Sequence, residues 1–427
     1  MTSTPSAATP TSLGRLVARS IEVADPGPLL DLLPEDAPTA WLRRGEGIVG
    51  WGVAASVRTS GPERFDAAVD WWHQVSASAV VRDELAVPGS GLICLGSFAF
   101  ADDPGDSVLI VPKVVVGRRG DRTWVTVIGD DEVSPPPDLV AQPEPRAPGE
   151  VVFADGSVGG TAWEAVVAQA VQRINAGELE KVVLARDLIA STEAPLDVRW
   201  PLRRLGSEYE MCWTFHVDGL FGATPELLVR RERGLVTSRV LAGTIRRTGD
   251  DERDLALAAT LARSSKDLEE HEYAVRSVAD SLAPHCTSMN VPESPFVLHL
   301  PNVMHLATDV AGVVPDTDSS TVLELAAALH PSAAVGGTPT DVAVAMISEI
   351  EGMDRGRYAG PVGWMDASGD GEFGIALRSA EYGPGPNGTG RVRLFAGCGI
   401  VAESDPESEL AEAQAKFVPV RDALAGR

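Results

Sequence analysis

Six prolines fall within fifteen residues, at 135, 136, 137, 143, 145 and 148, in the stretch that begins at Ser134. Proline lacks the N–H that a helix interior or a central strand needs, so neither can run through this stretch. The stretch therefore reads as a linker or long surface loop. It divides the chain into an N-terminal portion, 1–155, and a longer portion, 156–427. In the first, the glycine-punctuated apolar segments 91–100, 107–116 and 123–128 read as strands of an antiparallel sheet. Trp41, Trp51, Trp71, Trp72 and Trp124 read as core and interface aromatics.

Beyond the prolines the pattern changes to long helices alternating with strand pairs. Residues 161–176 carry apolar side chains at helical spacing and end at Gly177, a C-cap signal. Strands follow around 211–217, 226–230 and 236–240, joined by Asp218-Gly219 and Arg233-Gly234, pairs suited to tight hairpin turns. Residues 250–282 read as one long helix, 321–329 and 340–351 as shorter ones, and 406–425 as the last. Segments 360–364, 372–379 and 391–395 read as strands. No repeat of fixed period occurs, and 383–390 is a short glycine-rich stretch.

At 427 residues and 44% hydrophobic content the chain can bury a large core, in several domains or in one two-lobed domain. No run of eighteen apolar residues appears. The first ten residues lack the basic and apolar regions of a secretory signal, which makes cytoplasm the expected compartment. A net charge of −25 argues against nucleic acid and anionic membrane as partners. An anionic substrate would need cations gathered locally. Cys94, Cys212, Cys286 and Cys398 show no CxxC spacing and read as reduced core residues rather than a disulfide framework or zinc site.

Those local cations stand out by type. Only four of the 36 basic residues are lysines: Lys113, Lys181, Lys266 and Lys416. Lysine offers a compact ammonium whose protonation can be tuned by burial, whereas arginine stays charged and presents a planar fork. On the last helix Glu409, Glu412 and Lys416 follow one another at spacings of three and four, so all three project from one face. Alone, that stripe would be an ordinary solvated surface. The segment before it argues otherwise: residues 394–401 read as a buried strand ending in a Gly397-Cys398-Gly399 turn that lets backbone approach a ligand. Asp405-Pro406 then opens the helix.

This C-terminal string, with Ser404, Glu409, Glu412 and Lys416, is similar to the signature of the chorismate-utilising enzymes, which include isochorismate, salicylate, anthranilate and aminodeoxychorismate synthases. Further matches follow in the family's order: Lys181-Val182-Val183-Leu184-Ala185-Arg186, Thr224-Pro225-Glu226, Leu241-Ala242-Gly243-Thr244, Lys266-Asp267 with Glu270-His271, His305, His330-Pro331, Tyr358-Ala359-Gly360 and Arg378. The resemblance spans roughly 156–427. It implies an α+β fold, a single two-lobed domain with central antiparallel sheets flanked by helices.

The resemblance also implies a chemistry and a division of labour. Chorismate is a dianion with a C4 hydroxyl. Replacing that hydroxyl by a group at C2 needs a base, an acid and a cation near the ring carboxylate. By resemblance, Lys181 is the base that activates water and Glu226 the acid that protonates the departing hydroxyl. Burial suits such a pair, because it lowers the pKa of an ammonium and raises that of a carboxyl. Glu270 and Glu412 are implied ligands of Mg²⁺, with Glu409 acting through water; oxygen-only ligation with retained waters suits that ion. Thr244, His305, Tyr358, Arg378, the backbone of Gly397 and Lys416 are implied substrate contacts.

Within the family, a lysine at 181 resembles the water-using members, so no amidotransferase partner is expected. Alanine at 242 departs from the aminodeoxychorismate branch, and the feedback-binding motif of anthranilate synthases is not evident. Salicylate-forming members carry threonine after the His-Pro segment, where this chain reads Ala333-Ala334-Val335. The expected product is isochorismate. A salicylate synthase is the alternative, and a catalytically inert interaction protein on the same scaffold is a second one.

Overall fold

The computed structural model describes residues 15–130, 134–315, 320–385 and 388–426. The first ten residues and part of the stretch 383–390 lie outside the described residues, as does the side chain of Lys266. The proline-rich stretch from Ser134 to Gly149 carries neither helix nor strand. It is tied down by backbone bonds such as Gln142 N to Asp31 O at 2.7 Å.

Two large sheets form the fold, one of thirteen strands and one of ten, with eight α-helices among the described residues. Every strand pair in them is antiparallel except Leu16–Glu22 with Val80–Asp83. Strands from both sides of residue 155 share each sheet: Trp213–Val217 pairs with Pro38–Arg43 in the larger, and Pro361–Asp366 with Ile93–Ser97 in the smaller. The main apolar cluster draws on both, with Trp41, Ile48 and Val115 from the larger meeting Leu95, Leu109 and Phe373 from the smaller. Trp41 Nε1 also donates across to Glu372 at 2.8 Å.

Local signals set most of the elements. Helix Gly160–Asn175 buries Trp163, Val167, Ala170 and Ile174, one stripe at helical spacing, and stops before Gly177 at φ +81°. Trp163 Nε1 donates to Ala185 O at 2.9 Å, which fixes this helix on the long strand Lys181–Thr192. Both hairpins form at the expected turns, where Asp218, Gly219, Arg233 and Gly234 all have positive φ. The last helix, Pro406–Ala425, starts at Asp405, whose side chain accepts from Ser408 N.

Four expectations are corrected. Residues 250–282 form two helices, Asp251–Leu261 and Ser265–Leu282, because Ser264 leaves the helix and its side chain caps the second one through Asp267 N. Segment 107–116 breaks at Pro112 into Ser107–Val111 of the smaller sheet and Val114–Arg119 of the larger. Segment 372–379 ends as a strand at Ile375 and resumes at Ser379 in the other sheet. Gly397-Cys398-Gly399 is no turn: strand Gly390–Ile400 runs straight through it, paired with Lys181–Thr192. The N-terminal portion also contains a helix, Arg64–Ser78, that its sheet-like pattern concealed; Trp72 is its buried anchor.

Candidate active site

Two adjacent crossings between the sheets build one wall of a cavity of about 260 Å³. Strand Leu220–Thr224 of the larger sheet passes through Pro225-Glu226 into Leu227–Glu232 of the smaller. Beside it, Gly371–Ile375 passes back through residues 376–378 into Ser379–Pro384. The crossings brace each other, Ile375 N donating to Glu226 O at 3.2 Å and Ala223 N to Arg378 O at 3.2 Å. Glu226 and Arg378 are thereby delivered together, both buried. Arg378 sits at φ +49°, a left-handed backbone that non-glycine residues adopt only when their surroundings enforce it.

Ten of the eleven residues singled out from the sequence line this cavity: Glu226, Thr244, Glu270, His305, Tyr358, Arg378, Gly397, Glu409, Glu412 and Lys416. The eleventh, Lys181, is 1% exposed and reaches the same place through Glu270, its Nζ lying 2.9 Å from Oε1. Lys416 Nζ lies 2.6 Å from Glu412 Oε1 and donates to Gly397 O at 2.9 Å. The Glu409, Glu412 and Lys416 stripe is therefore a cavity wall, with Glu409 6% exposed. Lys113, by contrast, is exposed.

Glycines make room for these groups. A Cβ at Gly399 would stand 2.5 Å from Glu270 Oε1 and 2.9 Å from Lys181 Cε. One at Gly397 would stand 2.8 Å from Leu184 O. Gly243, at φ +75°, is the extra residue of a bulge between Ala242 and Thr244, opposite Leu306 and His305. A Cβ there would press to 3.0 Å from Asp267 Cβ.

Burial dominates the electrostatics. It pushes the Glu226 carboxyl up to about 8, against the opposing pull of a backbone bond at Leu241 and of Lys181, Lys416 and Arg378. Glu226 is thus largely protonated at neutral pH. Burial, with Arg378 and Lys416, holds the His305 imidazole well below its usual range and therefore neutral. Arg378 Nη2 meets His305 Nε2 at 3.3 Å and Nδ1 meets Thr244 Oγ1 at 3.1 Å, so Nε2 accepts and the proton sits on Nδ1. Burial works against the Lys416 ammonium, but the Glu412 carboxylate outweighs it and its pKa is raised. Burial also pushes the Tyr358 phenol to about 12, and its ring stacks on Phe395 at 5.0 Å between centroids.

The donor set fits a hard divalent cation. Ligand atoms of Cys398, Glu409 and Glu412 lie within 4.8 Å of one another. Burial raises the Cys398 thiol, and its Sγ donates to Glu409 O at 3.3 Å, which leaves carboxylate oxygens as the ligands on that side. Asp267 and Glu270, one turn apart on helix Ser265–Leu282, line the same cavity. Asp267 was matched to the family beside Lys266 but given no role in the site, although its spacing of three from Glu270 placed both on one face. Arg355 was missed, and no periodic signal marks it.

Residues 19–425 match the family described as "Chorismate binding enzyme". The chain belongs to that family. It is 34% identical over 416 residues to a protein of Pseudomonas aeruginosa named salicylate biosynthesis isochorismate synthase, covering 90% of this chain and 84% of that one. It is 30% identical to isochorismate synthase MenF of Bacillus subtilis, covering 89% and 85%. Among solved structures it superposes with TM-score 0.76 on a putative 2,3-dihydroxybenzoate-specific isochorismate synthase, DhbC, of Bacillus anthracis, at 31% identity over 93% of this chain and 99% of that one. MenF of Escherichia coli gives 0.77 at 24% identity over 96% and 95%, a likeness of fold. Two antiparallel-rich sheets with helices around them thus bear out the expected α+β architecture.

Proposed function

We propose that this enzyme converts chorismate to isochorismate, with Lys181 and Glu226 as base and acid. The observation that carries the reading is the buried Glu226, its carboxyl raised by burial, sharing one cavity with Lys416 and four acidic side chains, one of which, Glu270, meets Lys181 at 2.9 Å. Lys181, as its neutral amine once the proton it shares with Glu270 has left, takes a proton from water, whose oxygen bonds to C2. The ring double bonds shift, the C4–O bond breaks, and Glu226 gives its proton to the departing hydroxyl, which leaves as water. Arg378 and Tyr358 hold the enolpyruvyl carboxylate with the Gly397 backbone, Arg378 through its planar fork. Thr244, oriented by His305, faces the ring.

Mg²⁺ is the cation this donor set would hold, by Glu270 and Glu412 with Glu409 through water; when bound it supplies positive charge at the ring carboxylate. Ala334, on the cavity wall, offers no hydroxyl where salicylate-forming relatives have one, which supports a stop at isochorismate.

Incubation of the enzyme with chorismate and Mg²⁺, with products separated by chromatography, tests the reading. A mixture of chorismate and isochorismate approached from either side is expected, since similar bonds form and break. Stoichiometric release of pyruvate and salicylate would make the protein a salicylate synthase. No turnover of chorismate would refute both.

A further inference from the structure

A buried ion pair with no role assigned so far lies at the cavity wall, where Arg355 is a lining residue and Glu351 is not. Glu351, fully buried, closes helix Thr340–Ile350, and Arg355 follows one turn later. Arg355 Nε and Nη2 meet the two Glu351 oxygens at 2.7 and 2.6 Å. The same guanidinium donates to Val183 O at 2.7 Å and Val335 O at 3.0 Å, and its plane stands 4.2 Å over the Phe100 ring. Glu351 Oε2 in turn accepts from Ala185 N at 2.8 Å.

These acceptors and donors mark where a ladder runs out. Strand Lys181–Thr192 pairs on one side with Gly390–Ile400 along its length. On the other side it meets Gly337–Thr338 at Lys181 and Val182, and then Val151–Asp155 only from Leu188 onward. Val183 N still finds Gly336 O at 2.8 Å, but Val183 O and Val335 O are both acceptors, with no backbone N–H to join them. Buried backbone groups left unpaired are costly. A guanidinium that reaches two carbonyls and a carboxylate at once replaces the missing rungs.

We propose that the Glu351–Arg355 pair is a positioning clamp for the reaction. It fixes the strand that begins at Lys181 against the segment that carries Ala334, so base and cavity wall keep one mutual geometry. The proposal rests on the reading of Lys181 as base. A lysine at 355 would keep the charge but not the planar fork, and could not hold the same bonds in the same directions. Breaking such a pair by removing one partner leaves the other charge buried, so conservative variants are the informative ones.

Arg355→Lys is compared with Arg199→Lys, a change in another buried pair, Arg199–Asp197 at 2.6 Å, which lies among residues outside the cavity. In steady-state assays with chorismate, Arg355→Lys is expected to lower kcat at least tenfold with KM within twofold, while Arg199→Lys leaves kcat unchanged. Hydrogen exchange by mass spectrometry should show faster exchange in 182–186 and 335–338 for Arg355→Lys alone. Glu351→Gln, which keeps shape and one acceptor oxygen, should fall between wild type and Arg355→Lys in both readouts. Wild-type kcat in Arg355→Lys, or a loss matched by Arg199→Lys, overturns the clamp. Should the wild type fail to turn over chorismate, the proposed reaction fails, and exchange in those two segments alone decides the clamp: unchanged exchange overturns it.

Discussion

Two cavities of similar size lie between or beside the sheets, and they handle charge in opposite ways. The one of about 350 Å³ is walled by Trp41, Trp124, Trp213 and Trp364 with five arginines, Glu46 and Glu372. There Glu372 accepts from Trp41 Nε1 at 2.8 Å and Trp213 Nε1 at 3.1 Å and pairs with Arg230 at 2.6 Å. Arg43 lies 4.3 Å over the Trp213 ring, and Arg119 pairs with Glu232 at 2.7 Å. Its half-buried carboxylate serves bonds that join the sheets. In the candidate catalytic cavity Glu226 forms no ion pair with another described residue, and burial lifts its pKa to about 8. The contrast teaches that burial can outweigh nearby cations and raise one carboxyl, the proposed acid, while another held directly by donors and an arginine serves to join the sheets.

The largest effects should separate the two cavities outright. Glu270→Gln and Glu412→Gln are each expected to abolish turnover and to weaken Mg²⁺ binding in calorimetric titration with a chorismate analogue, and Glu409→Gln to be milder. Unchanged Mg²⁺ affinity in both of the first two would mean that the metal is held elsewhere.

The next test sets Glu226→Gln against Glu372→Gln. The first should lower kcat by roughly 10²–10⁴, the usual worth of a general acid. It should also remove the fall in rate as pH rises through about 8, where Glu226 loses its proton. The sign for stability follows from the same shift. A carboxyl raised in the folded state stabilises fully below its unfolded pKa, and that contribution is lost as pH rises toward about 8. Glu226→Gln should therefore gain stability relative to wild type on the alkaline side, as read by denaturant midpoints at pH 6 and 9. Glu372→Gln should do the reverse of an active-site change: kcat near wild type, with about 1–3 kcal/mol of stability lost as its donors lose their charged acceptor.

Glycines give a finer comparison. Gly399→Ala would crowd Glu270 and Lys181, and kcat should drop on the order of 10- to 100-fold with little change in melting temperature. Gly47, in the wall of the other cavity, sits at φ +122° with room for a Cβ only 2.2 Å from Trp41 O. Gly47→Ala should lose stability and leave the kcat of whatever folds unchanged. Equal kcat losses in both variants would erase the distinction between the cavities. The smallest effect is expected at the cap of the helix that carries Asp267 and Glu270: Ser264→Ala should cost about 1 kcal/mol in chemical denaturation.

Much of the candidate site was legible because it is local. Glu409, Glu412 and Lys416 share a face through helical spacing alone, and the helix that carries them begins at Pro406 and ends before Gly426 as its caps require. The hairpin turns at 218–219 and 233–234 follow from backbone conformations that few residue pairs tolerate. What misled was continuity. Residues 372–379 read as one strand because period-two alternation does not register a change of sheet. The Gly397-Cys398-Gly399 string suggested a turn, since glycine's absence of a side chain serves close approach as readily as bending.

The sequence by itself determined the family, the residue types that acid, base and metal chemistry need, and the elements that carry them, because caps, turns and helical periodicity act over a few residues. Only the tertiary structure decided that Glu226 and Arg378 arrive on paired crossings and that Asp267 joins the carboxylates. It alone showed an arginine and a glutamate completing a ladder behind Lys181. Those outcomes depend on which backbone groups remain unpaired after two sheets of distant strands have packed, a quantity that no stretch of neighbouring residues contains.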